Sequence, residues 1–208
     1  MACIFETAPA GRPHMVNSIK RDHEEFRKLW KDYQESSDRT HKNRIINEMQ
    51  RGIAIHNVIE ERFLYPVVAK APIDRAQHHA DHGLKEHQQA DDMLYPLQSL
   101  EPGTPEYEEL LNKAMKKFMH HIDEEEQKFL NALAEALGDE EMEKLGKPMD
   151  EARPYAPTRP HPSAPDRPPF QTIVAMVEAP IDRLRDKIEG REFLDAERRT
   201  AEEPKTSK

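Results

Sequence analysis

The stretch IAIHNVIEERFLYP, residues 53–66, has apolar residues at the three- and four-residue spacing of an α-helix, with His56 and Glu60 inserted in the apolar stripe. Residues four apart lie on one helical face, so this imidazole and this carboxylate point in the same direction. A second stretch, MHHIDEEEQKFL at residues 119–130, repeats the arrangement. Both stretches therefore predict helices whose inner faces carry a polar pair.

Four segments of the chain show helical periodicity. Their approximate bounds are residues 14–36, 40–69, 73–97 and 105–137. Thr104 and Pro105 are typical of a helix start, and Gly138 is typical of a helix end. No segment reads as a β-strand. Short connections between four helices of similar length predict an all-α, up-down-up-down four-helix bundle.

The rest of the chain differs in composition from the predicted bundle. We expect a flexible N-terminus at 1–13, the four-helix bundle at 14–140, a proline-rich extended linker at 141–169, a short amphipathic helical segment at 170–196 and a disordered tail at 197–208. Eight prolines from Pro148 to Pro169 predict an extended, non-helical stretch. Ile181, Leu184 and Ile188 fit one face of a short helix that docks on an apolar strip.

Composition limits the class of protein. The 208 residues are 36% hydrophobic and 34% charged, with a formal net charge of -9, which argues against nucleic acid as a partner. Cys3 is the single cysteine, so neither an internal disulfide nor a cysteine zinc cluster can form. The chain has no run of 18 apolar residues and no signal-peptide pattern. We expect a cytoplasmic protein with no membrane partner.

A set of polar residues interrupts the apolar stripes near mid-helix. Each helix carries one histidine there, namely His23, His56, His87 and His121. Glu60 and Glu125 follow the second and fourth of these by one turn. One such histidine is usually an ordinary core residue, and one such pair is often a surface salt bridge. Four in register are harder to explain without a cation, because buried polar groups cost roughly 2–7 kcal/mol each when unpaired, and facing carboxylates repel. Imidazole and carboxylate donors suit iron, manganese or zinc.

The same segments resemble the hemerythrin-like family, also called the HHE cation-binding domain, over about residues 14–138. The resembling stretches are IKRDHEEF at 19–26, IAIHNVIEERFLYP at 53–66, DHGLKEHQQA at 81–90 and MHHIDEEEQKFL at 119–130. The proline-rich tail is similar to those of some fungal members. The resemblance implies a non-haem centre of two iron ions bridged by Glu60 and Glu125, with dioxygen or peroxide as possible partners.

The third helix departs from the oxygen-carrying members, which have two histidines four apart there. Here Gly83 stands four residues before His87, and His82 stands five before it. On a regular helix, positions five apart point about 140° away from each other. A π-turn aligns such positions. We predict that a π-turn eased by Gly83 makes His82 the fifth histidine ligand; the alternative is a surface histidine.

The fourth helix departs as well. It has H-x-x-x-E from His121, where the carriers have H-x-x-x-x-D; His120 would match the longer spacing but lies off the apolar stripe. Both departures argue against reversible oxygen carriage. We expect a di-iron protein that binds or senses dioxygen or iron. The alternatives are a di-iron enzyme acting on peroxide or a small oxidisable substrate, and a structural bundle without physiological metal.

Overall fold

A computed structural model describes residues 4–7, 11–161 and 170–194. Its helices are α1 (Met15–Glu35), α2 (Arg39–Ile59), α3 (Tyr65–Val68), α4 (Ala76–Leu97), α5 (Pro105–Glu125), α6 (Asn131–Ala152) and α7 (Phe170–Ile188). One π-helical turn, Glu60–Leu64, joins α2 to α3, and another, Glu126–Leu130, joins α5 to α6. Within the described ranges there is no strand, and the all-α prediction is confirmed.

The helices close into a four-membered ring. Helix α1 packs against α2 and α6, and α4 packs against α3 and α5. Because the π turns keep α2 with α3 and α5 with α6 as continuous rods, the four members are α1, α2–α3, α4 and α5–α6. Ridges of apolar side chains from all four fill the interior, including Phe26, Ile53 and Phe118. This is the predicted four-helix bundle.

Capping side chains explain where the bundle helices begin. Thr104 Oγ1 accepts a hydrogen bond from the Tyr107 backbone N–H at 3.4 Å, and Pro105 occupies the first helical position, as predicted. Helix α1 is capped by the His14 ring, which accepts from the Asn17 N–H at 3.2 Å. Helix α4 begins at Ala76, three residues later than the periodicity indicated.

The bundle's N-terminal segment is partly packed, although we expected residues 1–13 to be flexible. A 3-10 turn spans Ile4–Glu6 and buries the ring of Phe5, which stacks on Phe26 with ring centroids 4.5 Å apart. Gly52 makes room for it, since a Cβ at that position would lie 2.5 Å from the Phe5 ring. The hydrophobic periodicity of the sequence did not indicate this contact between Phe5 and Gly52.

Helix α6 corrects one boundary of the predicted linker. Gly138, with φ 77° and ψ 162°, interrupts the helical backbone as predicted, but the helix resumes and continues to Ala152. Residues 141–152 are therefore helical, not extended. Met142 and Met149 are fully buried, and this burial outweighs the backbone hydrogen bond that Pro148 removes. The proline-rich residues after 161 and the predicted tail at 197–208 lie outside the described residues.

Helix α7 docks by a different face from the one predicted. Ile181, Leu184 and Ile188 are more than half exposed, whereas Asp182 and Asp186 are buried. The segment after α6 holds these carboxylates: the Thr158 backbone N–H donates to Asp182 at 3.0 Å, the Thr158 hydroxyl to Asp186 at 2.9 Å, and the Arg159 guanidinium to Asp186 at 2.8 Å. Over residues 179–188, where the structure describes the side chains, charge-assisted hydrogen bonds hold this helix against the segment after α6. No helix in the described ranges is long and apolar enough to cross a membrane.

Candidate metal centre

Six predicted residues meet at the middle of the bundle. His23, His56, Glu60, His87, His121 and Glu125 are each at most 2% exposed. Helix α1 supplies His23, and α4 supplies His87. The α2–α3 rod supplies His56 and Glu60, and the α5–α6 rod supplies His121 and Glu125. Their side chains form two groups, each compact enough to surround one ion, and the two groups share Glu60.

The first group consists of His23, His56, Glu60 and Glu125. His23 Nε2 lies 3.4 Å from Glu125 Oε2, and His56 Nε2 lies 3.4 Å from Glu60 Oε1. Among the described residues, none of these four atoms has a hydrogen-bond partner. Buried polar atoms are almost always satisfied. Four unsatisfied donors and acceptors aimed at one point fit a bound cation, whose coordination would satisfy all of them.

The second group consists of Glu60, His87 and His121. His87 Nε2 lies 3.2 Å from Glu60 Oε2 and 3.1 Å from His121 Nε2. The hydroxyl of Tyr65 enters the same space, 3.0 Å from His87 Nε2 and 2.9 Å from Glu125 Oε1. This group is thus rich in nitrogen and oxygen donors and contains no sulfur.

The two carboxylates divide their oxygens between the groups. Glu60 turns Oε1 toward His23 and His56 and Oε2 toward His87. Glu125 turns Oε2 toward His23, at 3.4 Å, and Oε1 toward His121, at 4.0 Å. A carboxylate with one oxygen in each of two adjacent metal pockets is suited to bridging two ions.

Each histidine also turns its other ring nitrogen, Nδ1, toward a carboxylate. The pairs are His23 with Glu126 at 2.9 Å, His87 with Glu61 at 3.0 Å, His121 with Glu86 at 2.9 Å and His56 with Asp22 at 3.5 Å. The last distance is too long for a strong hydrogen bond. Metal-binding histidines characteristically donate their outer N–H to such a partner, which fixes the tautomer and directs the free nitrogen inward.

Protonation compensates for the clustered charge. Burial and the nearby charge of Glu125 raise the pKa of Glu60 to about 8. Burial also opposes ionisation of Glu125, but the imidazoles of His121 and His23 hold the pKa of that carboxyl well below its usual range. Burial would lower the pKa of His23, yet the neighbouring carboxylates of Glu125 and Glu126 raise it to about 9. The two facing carboxylates therefore require positive charge between them.

His82 does not join either group. Its side chain is 44% exposed, and its Nε2 lies 3.2 Å from Glu124 and 3.5 Å from Glu86, on the outside of the bundle. The π-turn predicted near Gly83 is absent, because α4 is regularly α-helical from Ala76 to Leu97. His82 and His87 therefore point in different directions, as five-apart residues do on a regular helix. His121, and not the largely exposed His120, faces inward.

The π-turns occur instead at the two glutamates. The turn Glu60–Leu64 brings Tyr65, five residues after Glu60, beneath that carboxylate, with Tyr65 Oη 3.4 Å from Glu60 Oε2. Gly83 provides the space, since a Cβ there would lie 2.5 Å from Tyr65 Cζ and Oη. Tyr65 thus fills the volume that a side chain four residues before His87 would need.

Three residues of this centre escaped the sequence analysis: Asp22, Tyr65 and Glu86. Asp22 directly precedes His23, and Glu86 directly precedes His87, so their positions in the sequence suggest a role near the metal centre. Yet Glu86 contacts His121 of another helix, not its own neighbour. Such pairings depend on helix register, which one sequence does not reveal. Tyr65 depends on the π-turn in the same way.

A helical bundle with two buried histidine and carboxylate groups at its centre defines a metal-binding class of protein. The family model of the hemerythrin HHE cation-binding domain matches residues 14–133. An uncharacterized hemerythrin-like protein of Schizosaccharomyces pombe is 35% identical over 176 residues, which cover 83% of this chain and 85% of the relative. The chain belongs to the hemerythrin-like family, as the sequence motifs predicted.

A solved structure shares the fold. The crystal structure of a hemerythrin HHE cation-binding domain-containing protein from Mycobacterium kansasii superposes with a TM-score of 0.58 at 24% identity. The match covers 67% of this chain and 85% of that protein.

Proposed function

We propose that this chain binds two iron ions between its four central helices. One ion is held by His23 and His56, the other by His87 and His121, and both by Glu60 and Glu125. The observation that carries the proposal is the division of each carboxylate's oxygens between the two groups. A single ion would leave one oxygen of each buried glutamate without a cation, at the cost of an unsatisfied buried charge.

The donor set supports iron. The centre offers four imidazoles, two carboxylates and the phenol of Tyr65, and it has no thiolate, a combination suited to iron, manganese or zinc. Two iron(II) ions can supply electrons to dioxygen or peroxide, which redox-inactive zinc cannot. Membership of the hemerythrin-like family adds to this choice. A cytoplasmic location, where iron(II) is available, accords with the single cysteine.

The residues around the ions support a protected binding or sensing site for dioxygen or for iron itself. The rings of Phe26 and Phe118 stand 5.4 Å and 6.1 Å from the His56 ring and separate the centre from one end of the bundle. Burial of every candidate ligand excludes bulk water and admits only small molecules. This favours a small diatomic or the metal as the physiological signal.

One observation favours the enzyme alternative. The Tyr65 hydroxyl lies within 3.0 Å of both His87 and Glu125, and burial together with the charges of Glu125 and Glu60 raises its pKa well above the usual value. A phenol that stays protonated at that position can donate a hydrogen bond to a bound peroxide. If Tyr65 has this role, the protein should consume peroxide and should lose that activity when Tyr65 is replaced.

Oxygen-free protein loaded with iron(II) distinguishes these functions. A stable change in visible absorption on air exposure is expected for a protein that binds or senses dioxygen. Sustained consumption of peroxide, lost in Tyr65→Phe but kept in the control Tyr33→Phe, would favour the enzyme. No optical or redox response of the iron-loaded protein to either oxidant would contradict both.

A further inference from the structure

A third group of potential metal donors lies outside the buried centre. His82, Glu86 and Glu124 each offer one atom, and the three atoms lie within 4.8 Å of one another. His82 Nε2 is 3.2 Å from Glu124 Oε2 and 3.5 Å from Glu86 Oε2. The group joins α4 to α5, with one imidazole and two carboxylates converging on the same small space.

The lysines around this group contact only the outer oxygens of its two carboxylates. Lys128 pairs with Oε1 of Glu124, and Lys117 Nζ lies 3.7 Å from Oε1 of Glu86. His120 also approaches Glu124 through Oε1. The Oε2 atoms, which face His82, are therefore not the ones that the lysines hold.

A narrow cleft connects this surface group with the buried centre. Its walls include His82, Glu86 and Glu124 on the outside and His121 and Glu125 on the inside. The cleft is small, with room for about one water-sized particle.

Glu86 belongs to both ends of the cleft. Its Oε2 lies 2.9 Å from His121 Nδ1, where it orients an imidazole of the buried centre, and 3.5 Å from His82 Nε2. The side chain is 7% exposed and so bridges solvent and core. A cation held at the surface would thus bind the same carboxylate that supports the inner histidine.

We propose that His82, Glu86 and Glu124 form a third cation site, at which a divalent metal ion binds before it passes to the buried centre. The binding part stands on the geometry of the three residues alone, whereas the transfer part rests on the proposed di-iron function. The imidazole and the two carboxylates supply three donors, and water completes the shell. Because Glu86 Oε2 also lies 2.9 Å from His121 Nδ1, this carboxylate would link an ion at the outer site to the buried centre.

The test uses crystals of the full chain equilibrated with excess iron(II) under argon, with anomalous diffraction at the iron edge. We expect a peak among His82, Glu86 and Glu124 in addition to those of the buried centre. The double variant His82→Ala/Glu124→Gln should lose only the outer peak. His78→Ala removes a surface histidine that stacks on His82 without belonging to the group, and it serves as the matched control.

Loading kinetics test the passage. With limiting iron(II) and a colorimetric chelator to quench, His82→Ala/Glu124→Gln should load the buried centre severalfold more slowly than the wild type and reach the same final occupancy. His78→Ala should load at the wild-type rate. Both replaced residues are partly exposed, so folding is preserved; Glu124→Gln alone is the milder second variant.

The outcomes separate the two proposals. Iron in the buried centre with none at the outer group would overturn the third site and leave the di-iron function standing. Iron at the outer group with none in the buried centre would overturn the di-iron function and leave the outer cation site standing. Equal loading rates in the double variant and in His78→Ala would overturn the passage of metal through this site.

Discussion

Buried atoms without partners control the chemistry of the metal-free centre. Glu60 Oε1 and Glu125 Oε2 face two imidazoles, and neither oxygen accepts a hydrogen bond from a described residue. Protons on the histidines then take the place of metal charge. The pKa of His87, which burial alone would lower, is raised to about 10 by hydrogen bonding to Glu60 and Glu61. Metal ions and protons therefore compete for the same nitrogens.

This competition predicts that metal binding releases protons. The pKa values of about 9 for His23 and about 10 for His87 lie above pH 7, so both imidazoles are protonated in the metal-free protein at neutral pH. Metal binds the neutral ring, so affinity should fall as pH falls and level off above about pH 10. Calorimetric iron(II) titrations at pH 7, in buffers of different ionisation enthalpy, measure the release. An enthalpy that is independent of the buffer would contradict the account.

Because Gly83 lies close to Tyr65, replacing this glycine by alanine should have an unusual effect on stability. In an exposed helix, Gly→Ala stabilises by roughly 0.5–1 kcal/mol. At Gly83 the new Cβ would lie 2.5 Å from the Tyr65 ring, so Gly83→Ala should instead destabilise by about 1–3 kcal/mol through overpacking. Urea denaturation measures this change.

A double-mutant cycle is the control for that prediction. In a Tyr65→Ala background the steric conflict is gone, so Gly83→Ala should become neutral or stabilising. An equal penalty in both backgrounds would show that the space at Gly83 has nothing to do with Tyr65.

At the scale of single residues, the spacing of the candidate ligands predicted their burial better than residue type alone did. The i, i+4 spacing puts His56 with Glu60, and His121 with Glu125, on one helical face, and the apolar residues of that face bury all four. His82 was predicted to be a ligand through a π-turn, and the π-turn formed in other helices. Which helix accommodates an extra residue depends on packing against its neighbours, and that information is absent from a single helix's sequence.

Among the elements, α6 extends the functional unit beyond the matched family domain. Arg153, directly after this helix, is fully buried and donates to Asp22 Oδ2 at 2.7 Å and to Asp150 Oδ1 at 3.1 Å. Asp22 in turn faces His56 Nδ1. Burial opposes ionisation of Asp22, but Arg153 outweighs it and holds the pKa of that carboxyl well below its usual range. A residue outside 14–133 thus fixes the charge beside a candidate metal ligand.

Removing that guanidinium should be costly. Arg153→Met leaves Asp22 as a buried carboxylate without its main cation, and breaking such a pair typically costs about 3–5 kcal/mol. Thermal and denaturant unfolding of the metal-free protein measure the loss. Arg12→Met is the control, because Arg12 is 84% exposed and its pair with Glu143 should contribute little. Equal stabilities of the two variants would contradict a structural role for Arg153.

The bounds of the first helices followed from periodicity and capping residues, whereas the elements after Gly138 did not. Proline counts favoured an extended chain, yet two buried methionines keep α6 helical past Pro148. The apolar positions of α7 suggested its docking face, yet Asp182 and Asp186 are the buried ones. Residues distant in the sequence, such as Arg159 for α7, determine which face of a helix is buried. The local sequence does not reveal where such residues lie.

For the whole molecule, the proposed site predicts that the bundle and the ions it binds stabilise each other. Each of the four rods supplies at least one candidate ligand, so an ion at the centre links all of them. A ligand bound only by the folded state adds about 2.7 kcal/mol when present at 100 times its dissociation constant. Iron(II) under argon should therefore raise the melting temperature of the wild type.

A double variant isolates that linkage. His56→Ala/Glu125→Ala removes donors from the buried centre, so iron(II) should no longer shift its melting temperature. Glu109→Ala, on the exposed face of α5, should respond as the wild type does. The same iron-induced shift in all three proteins would show that stabilisation comes from elsewhere.

Metal content of the protein reconstituted with iron(II) under argon tests the central claim most directly. The measurement belongs in a His82→Ala background, after gel filtration, so that iron at the outer site is not counted. The account predicts two iron ions per chain, falling well below two when Glu60, shared by both groups, is replaced by alanine. One ion or fewer per chain, or two ions retained by Glu60→Ala, would contradict it.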